Sequence, residues 1–214
     1  MPKPLPIKEF HHVDLVVGNA QQAAFYYWKA FGFDQVGYLG PETGHKDRVS
    51  YALRQGDIRI SVTCPVRHND PLNLYHTLHG DTVRDVAFET DDVDGAWREA
   101  IERGATSERE PADLVDEHGK VRIAAVKTFG DVIHSFVSTA DYAGPFLPGY
   151  RPLDRKGFDA KLLCIDHIVG NVEDHQMERW VQFYVDVFGF ERFVSYDDKD
   201  ISTEFSALRS TVVA

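Results

Sequence analysis

The clearest candidate for chemistry is a histidine in the run Asp166-His167-Ile168-Val169-Gly170. The apolar stretch Leu162 to Val172 predicts a short strand that carries this histidine and then turns on a glycine. A neutral imidazole held on a strand is a good ligand for divalent iron, zinc or copper. Asp166 should point to the opposite face of that strand, away from any metal bound by His167. A lone strand histidine is more often a hydrogen-bonded core residue, so the assignment needs a second observation.

An internal repeat supplies that observation. Residues 10–33 and residues 166–190 both run from a histidine-bearing strand through Val-Gly-Asn and an aromatic-rich helix to Phe-Gly-Phe. A weaker third copy begins at Asp85 and continues through a predicted helix from Val93 to Arg103. Repetition of this kind indicates a fold assembled from one supersecondary unit. We therefore predict an α+β fold made of tandem βαβββ units that form curved mixed sheets, with the last pair of units incomplete.

Apolar periodicity locates the elements of these units. It predicts helices over 20–31, 93–103 and 174–188, and strands over 10–17, 35–39, 49–54, 58–64, 83–89, 111–115, 121–127, 132–138, 162–171, 191–196 and 202–213. The segment from His68 to Gly80 should be a helix or loop that crosses between units. Two glycines and two prolines between Asp141 and Tyr150 predict an extended linker. We expect an amino-terminal domain over 1–150 and a second domain over 151–214.

Composition excludes several classes of function. The chain has 214 residues and a net charge of −11, which disfavours binding to nucleic acid. No apolar stretch reaches the roughly 20 residues that a membrane helix requires. Cys64 and Cys164 lie in strand-like segments and are expected to be buried free thiols in a reducing compartment, the cytoplasm.

Segments spread along the whole chain resemble the 4-hydroxyphenylpyruvate dioxygenase family of the vicinal oxygen chelate superfamily. The matching segments include Phe10-His11-His12, Val86-Ala87-Phe88-Glu89, Phe146-Leu147-Pro148-Gly149-Tyr150, Ile165 to Asn171 and Thr203 to Ser210. In that family, iron(II) is held by two histidines and one glutamate. The resemblance implies that His167 is the first histidine ligand and that Val169, Ser210 and Val212 line the substrate pocket.

The resemblance also implies a reaction and an assembly. The family converts 4-hydroxyphenylpyruvate and O2 to homogentisate and CO2 in tyrosine catabolism, uses Fe2+ and usually forms homo-oligomers. The family chain is longer than this one. We therefore expect residues 151–214 to be a truncated start of the catalytic domain, with the remaining ligands beyond Ala214 and no activity in this chain alone.

Three alternatives stay open at this point. The first is 4-hydroxymandelate synthase, which resembles the same family and oxidises the side chain instead of the ring. The second, from another class, is a metal-free binding or scaffold protein of the same superfamily. The third is a metal site formed by His12, Glu89 and His134, although the family's amino-terminal domain carries no metal.

Ser210 has no activating base near it in the sequence, so a binding role is expected rather than nucleophilic attack.

Overall fold

Two βαβββ units contribute eight strands to a nine-stranded mixed sheet in the computed structural model, which describes residues 2–196 and 210–214. The first unit consists of β1 (Glu9–Val16), α1 (Ala20–Phe31), β2 (Asp34–Leu39), β3 (Arg48–Gln55) and β4 (Ile58–Pro65). A crossing helix, α2 (Pro71–His79), leads to the second unit. That unit consists of β5 (Thr82–Glu89), α3 (Val93–Glu102), β6 (Ser107–Asp116), β7 (Gly119–Lys127) and β8 (Ile133–Ser138). The predicted α+β fold of repeated βαβββ units is confirmed.

The two units have the same internal topology and meet at the centre of the sheet. The strand order is β6-β7-β8-β5-β1-β4-β3-β2-β9, where β9 is Arg151–Arg155. In each unit the first and last strands pair in parallel, β1 with β4 and β5 with β8, and the two units join through the antiparallel pair β1–β5. The central strands are therefore paired on both sides, and the ends of the sheet are β6 and β9.

Helix α1 shows how local sequence determines one element. The Asn19 side chain accepts the backbone N–H of Gln22 at 3.0 Å, which satisfies one of the free donors of the first turn. Gly32 ends the helix with φ +76°, and a Cβ there would lie 2.0 Å from the carbonyl oxygen of Phe158. Gly189 ends the later helix with φ +73°. Both Phe-Gly-Phe tripeptides thus mark helix ends, because glycine adopts the left-handed conformation without a steric penalty.

The sheet buries different side chains on its two faces. On the helical face, α1 and α3 pack with alanines against aliphatic and aromatic residues of the strands, including Leu53, Val62, Phe88 and Phe136. The other face carries small, polar and aliphatic residues, and Phe146, Leu147 and Tyr150 pack against it. The expected extended linker over 141–150 is therefore wrong. Its apolar residues fold back onto the sheet because that face would otherwise remain exposed.

The polypeptide after this segment stays attached to the same sheet. Strand β9 pairs antiparallel with β2, in the register Gln35 with Arg155 and Tyr38 with Arg151. Helix α4 (Met177–Phe183) continues as one π-helical turn, Tyr184–Phe188, whose Val187 and Phe188 join the core beside α3. Strands β10 (Arg192–Tyr196) and β11 (Ser210–Val213) form a separate antiparallel pair. The division into domains at residue 150 stays a prediction.

Two expectations for the later region need correction. The predicted strand over 162–171 is absent, and the segment is irregular and mostly exposed. A strand needs a neighbour for its backbone groups, and none of the described strands lies beside this segment in a ladder. Cys164 is consequently exposed instead of buried, while Cys64 is half-buried. Of the predicted strand over 202–213, residues 202–209 lie outside the described residues. In the described part of the chain, no helix is long and apolar enough to cross a membrane.

Candidate metal and substrate site

One of the two ring nitrogens of His167 already has a hydrogen-bond partner. Its side chain is 71% exposed, and its Nδ1–H donates to Asp166 Oδ2 at 2.7 Å. The expectation that Asp166 points away from His167 is wrong, because it assumed the alternation of a strand that does not form here. A carboxylate on Nδ1 fixes the tautomer and leaves Nε2 with its lone pair directed outward. His167 therefore fits the role of one nitrogen ligand to a divalent metal, with Asp166 behind it.

The segment that carries this pair is anchored to the first unit. Gln55 Oε1 accepts the backbone N–H groups of Ala160 at 3.1 Å and Leu162 at 3.2 Å. The N–H of Asp57 donates to the carbonyl oxygen of Leu163 at 2.8 Å. Ile165 packs at the edge of the cluster beneath α1. The β3–β4 hairpin turn therefore holds the start of the segment as far as Leu163, three residues before Asp166.

The predicted substrate-binding residues lie in two separate places. Val169 is in the same irregular segment as His167 and is 72% exposed. Ser210 and Val212 lie on β11, opposite Tyr196 and Val194 of β10, and Val212 is 37% exposed. None of the hydrogen bonds, ion pairs or hydrophobic clusters in the described residues joins His167 or Val169 to Ser210 or Val212. The assignment of these four residues to one pocket stays a prediction.

A complete set of metal ligands is not present among residues 2–196 and 210–214. No group of three histidine, cysteine, aspartate or glutamate side chains there could hold a metal ion. An octahedral iron(II) site with open positions typically takes three protein ligands on one face. The donor chemistry of His167 and its carboxylate partner fits one position of such a site.

The alternative set of His12, Glu89 and His134 is not brought together. His134 donates from Nδ1 to the carbonyl oxygen of Val86 at 2.8 Å and accepts the Tyr184 hydroxyl on Nε2 at 2.8 Å. Its ring packs against Phe88, on the helical face of the sheet. His12 lies across from Ala87 and therefore on the other face. Burial lowers the pKa of His134 to about 4, so this imidazole is a neutral part of the core.

Two adjacent histidines instead share the face that Phe146 covers. The register shifts between Phe10 and His12, and this bulge places consecutive side chains on one side of the sheet. The His11 and His12 Nδ1 atoms are 2.7 Å apart, and Phe146 packs against both rings, with its centroid 5.0 Å from that of His12. One Nδ1 must donate and the other must accept, so the accepting ring is neutral. Burial lowers the pKa of His11 to about 4 and that of His12 well below its ordinary value.

A chain of hydroxyl groups leads from the covering segment to a carboxylate on the same face. Asp14 Oδ1 accepts from Ser61 and, at 3.0 Å, from Thr63. Because the Thr63 proton is used there, Ser50 must donate to Thr63 at 2.9 Å, and Tyr150 must donate to Ser50 at 2.7 Å. The polar residues of this face are thus satisfied within the chain. Tyr150 and Phe146 cover these polar residues.

The sequence model of the Glyoxalase/Bleomycin resistance protein/Dioxygenase superfamily matches residues 9–131. The chain is 41% identical over 228 residues to 4-hydroxyphenylpyruvate dioxygenase of Neurospora crassa, covering 96% of this chain and 55% of that protein. It is 44% identical over 212 residues to the dioxygenase of the same name from Danio rerio, covering 95% of this chain and 53% of that protein.

Solved structures agree on the fold. A triple mutant of 4-hydroxymandelate synthase from Streptomyces coelicolor superposes with a TM-score of 0.80 at 24% identity, covering 97% of this chain and 59% of that chain. A methylmalonyl-CoA epimerase superposes with a TM-score of 0.51 at 17% identity, covering 64% of this chain and 98% of that one. At these identities the likeness concerns the fold alone. The chain spans about half the length of the curated relatives that it matches.

Proposed function

Because this chain belongs to the Glyoxalase/Bleomycin resistance protein/Dioxygenase superfamily, we propose that the protein acts as a non-haem iron(II) dioxygenase on 4-hydroxyphenylpyruvate. The net reaction consumes O2 and yields homogentisate and CO2. The observation that carries the proposal is the 41% identity to a 4-hydroxyphenylpyruvate dioxygenase across 96% of this chain. Since the chain covers 55% of that relative, the activity of the whole relative remains a proposal for this protein.

His167 and Asp166 have distinct roles in this proposal. Iron(II), when bound, would supply a Lewis acid that can hold a 2-oxo acid and O2 side by side. His167 Nε2 would be one of its ligands. Asp166 accepts the Nδ1–H at 2.7 Å, which keeps the proton off Nε2 and fixes the orientation of the ring. The pair therefore prepares a metal ligand before the metal binds.

The pocket residues would act on the substrate rather than on the metal. Val169 is exposed over 72% of its surface, which suits an apolar residue that a bound aromatic ring would cover. Val212 would provide a second apolar contact of the same kind. The Ser210 hydroxyl can donate to a carboxylate or accept from a phenol, so it would orient the substrate by hydrogen bonding.

The test uses protein that carries an affinity tag at its amino terminus and is purified through that tag from the organism that makes it. We expect oxygen uptake that depends on iron(II) and 4-hydroxyphenylpyruvate, with homogentisate as the product. His167→Ala should abolish both turnover and iron binding, because a coordination shell that loses a ligand is incomplete. His175→Ala is the matched control, since His175 is 79% exposed and also lies beside an aspartate, Asp174.

Each other outcome selects a different function. If the product is 4-hydroxymandelate, the enzyme oxidises the side chain of the substrate instead of hydroxylating the ring. Absence of iron and of turnover, with the protein folded, would favour a metal-free binding protein of the same superfamily. Equal loss of iron binding and turnover in the His167 and His175 variants would contradict the assignment of His167 as a metal ligand.

A cytoplasmic location and a homo-oligomeric assembly belong to the same proposal. Both cysteines are free, and Cys164 is exposed, which supports a reducing compartment. Fractionation of cells that express the tagged protein tests the compartment. Light scattering of the purified protein tests the assembly, and a monomer mass would exclude the oligomer.

A further inference from the structure

A cavity lies on the helical face, and none of its lining residues belongs to the segment that carries His167. It has a volume of about 320 Å³ and lies between α1 and the strands β2, β3 and β9. Its lining combines three aromatic rings, amide side chains and a guanidinium: Phe25, Trp28, Tyr51, Gln21, Gln22 and Arg155. Small-molecule sites typically have this size and this mixture of flat apolar walls with a few polar groups.

The aromatic wall combines an oriented Trp28 ring with a solvent-exposed Phe25 ring. The Phe25 and Trp28 ring centroids are 6.1 Å apart with the ring planes at 84°, so they form a corner. The Trp28 indole N–H donates to the carbonyl oxygen of Lys156 at 2.7 Å, which fixes the orientation of that ring. Phe25 is 56% exposed even though it is strongly apolar. A flat apolar ligand placed in this corner would remove that surface from water.

The cation at the other end of the cavity is held in place by a neutral group. Arg155 donates to Gln35 Oε1 at 3.2 Å, and the buried Gln35 donates in turn to the carbonyl oxygen of Ala24. The adjacent Lys156 pairs with two carboxylates, Asp34 and Asp154. No carboxylate among the described residues forms an ion pair with Arg155. Its remaining N–H donors have the planar arrangement that a carboxylate matches in a bidentate manner.

We propose that this cavity binds an aromatic carboxylate, with the ring in the corner of Phe25 and Trp28 and the carboxylate on Arg155. The amides of Gln21 and Gln22 can bond to polar substituents of the ligand. The inference does not rest on the proposed iron chemistry, because none of the lining residues belongs to the segment of His167. The net charge of −11 opposes any anion, but at physiological salt exposed charges act mainly within about 8 Å.

The test titrates the 214-residue protein with phenylacetate and follows tryptophan fluorescence and calorimetric heat. We expect saturable binding with a Kd on the order of 1 mM, since a small ligand makes few contacts. Two analogues separate the two halves of the site. Cyclohexylacetate keeps the carboxylate without an aromatic ring, 2-phenylethanol keeps the ring without the charge, and both should bind more weakly. Equal binding of all three would contradict the proposal.

Variants locate the ligand. Arg155→Gln should weaken phenylacetate binding about tenfold or more, since it removes a charged hydrogen-bond donor. Lys156→Gln removes a neighbouring cation that is already paired, and it should leave binding unchanged. His167→Ala should also leave binding unchanged, whether or not the protein is an iron dioxygenase. Binding lost in His167→Ala and retained in Arg155→Gln would assign the ligand to the other site and overturn the inference, as would no saturation in the wild-type protein.

Discussion

Asp14 and Asp85 lie directly opposite each other on β1 and β5, the two strands that join the units. Asp14 accepts from Ser61 and Thr63, and Asp85 accepts from the backbone and the hydroxyl of Ser135. Burial raises the pKa of Asp85 to about 7 and also raises the pKa of Asp14, and each negative charge disfavours ionisation of the other residue. The centre of the sheet therefore contains two acids that resist simultaneous ionisation.

This pair should make stability depend on pH. The pKa of Asp85 is raised from 3.8 to about 7, so the folded protein retains a proton that the unfolded chain has released. The resulting stability is fully present below pH 3.8 and is lost as the pH rises through about 7. We expect the unfolding free energy of the wild type, relative to that of Asp85→Asn, to fall by roughly a few kcal/mol from pH 4.5 to pH 8.

Urea unfolding at a series of pH values measures that difference. Burial lowers the pKa of His11, His12 and His134, which acts in the opposite direction below pH 6.5. Because both proteins contain these histidines, their effect cancels in the comparison. A difference that does not change with pH would contradict a raised pKa for Asp85.

Phe146→Ala should destabilise the protein strongly. Phe146 is 6% exposed, and its ring centroid lies 5.0 Å from that of His12 and 5.1 Å from that of Tyr150. Removing a buried phenylalanine ring costs roughly 3–5 kcal/mol. Phe158→Ala is the control, since Phe158 is 52% exposed, and a change within about 0.5 kcal/mol is expected there. Equal stability of the two variants in urea would show that residues 141–150 do not pack onto the sheet.

Gly32→Ala should lower the stability of the fold more than the same substitution at another glycine with a left-handed backbone. Gly44 has φ +90° with no atom within 4 Å of an added Cβ, so Gly44→Ala should cost about 1 kcal/mol from backbone strain alone. At Gly32 the added Cβ would also meet the carbonyl oxygen of Phe158. Thermal unfolding of both variants shows which substitution is more destabilising. Equal destabilisation would mean that Phe158 lies farther from α1.

Asp166→Asn should weaken iron(II) binding by the native protein about tenfold to a hundredfold without changing its thermal unfolding. The amide cannot hold the Nδ1 proton as the carboxylate does, so His167 becomes a poorer and less oriented ligand. Asp174→Asn, beside His175, is the matched control. Metal affinity measured by competition with a chelating dye distinguishes the two variants, and unchanged affinity in Asp166→Asn would mean that this carboxylate does not support the ligand.

Chelation should leave the thermal unfolding of the 214-residue protein unchanged. The described sheet is held by hydrophobic clusters on both faces, and the described residues contain no group of three metal ligands. A metal that bound only the folded state would raise the melting temperature by mass action. Scanning calorimetry with and without EDTA makes the comparison. A lower melting temperature in EDTA would indicate a metal within the folded units.

Local signals in the sequence were sufficient for most elements of the sheet. Helix α1 begins and ends at the predicted residues, Ala20 and Phe31, because an asparagine cap and a left-handed glycine act within one helical turn. The weaker copy that begins at Asp85 predicted the second unit, and each unit has the same parallel closing pair.

Features that depend on distant partners were not predictable in this way. The run Leu162 to Val172 has the composition of a strand, but ladder formation requires a neighbouring strand that composition does not reveal. The glycines and prolines of segment 141–150 predict a linker, although its Phe146 and Tyr150 are the signal that it packs. Strand alternation places Asp166 on the wrong face, because no strand forms there.

The antiparallel seam between β1 and β5 has the geometry of a twofold interface between two subunits. Equivalent strands of equivalent units meet there, in the self-complementary manner of a symmetric dimer. Two acids at matching positions, Asp14 and Asp85, would oppose the association of such units if they were separate molecules. The connection through α2 makes the encounter intramolecular, with an effective concentration on the order of millimolar or higher. Covalent linkage thus allows the seam to keep a pair of residues that a freely dissociating dimer would find costly.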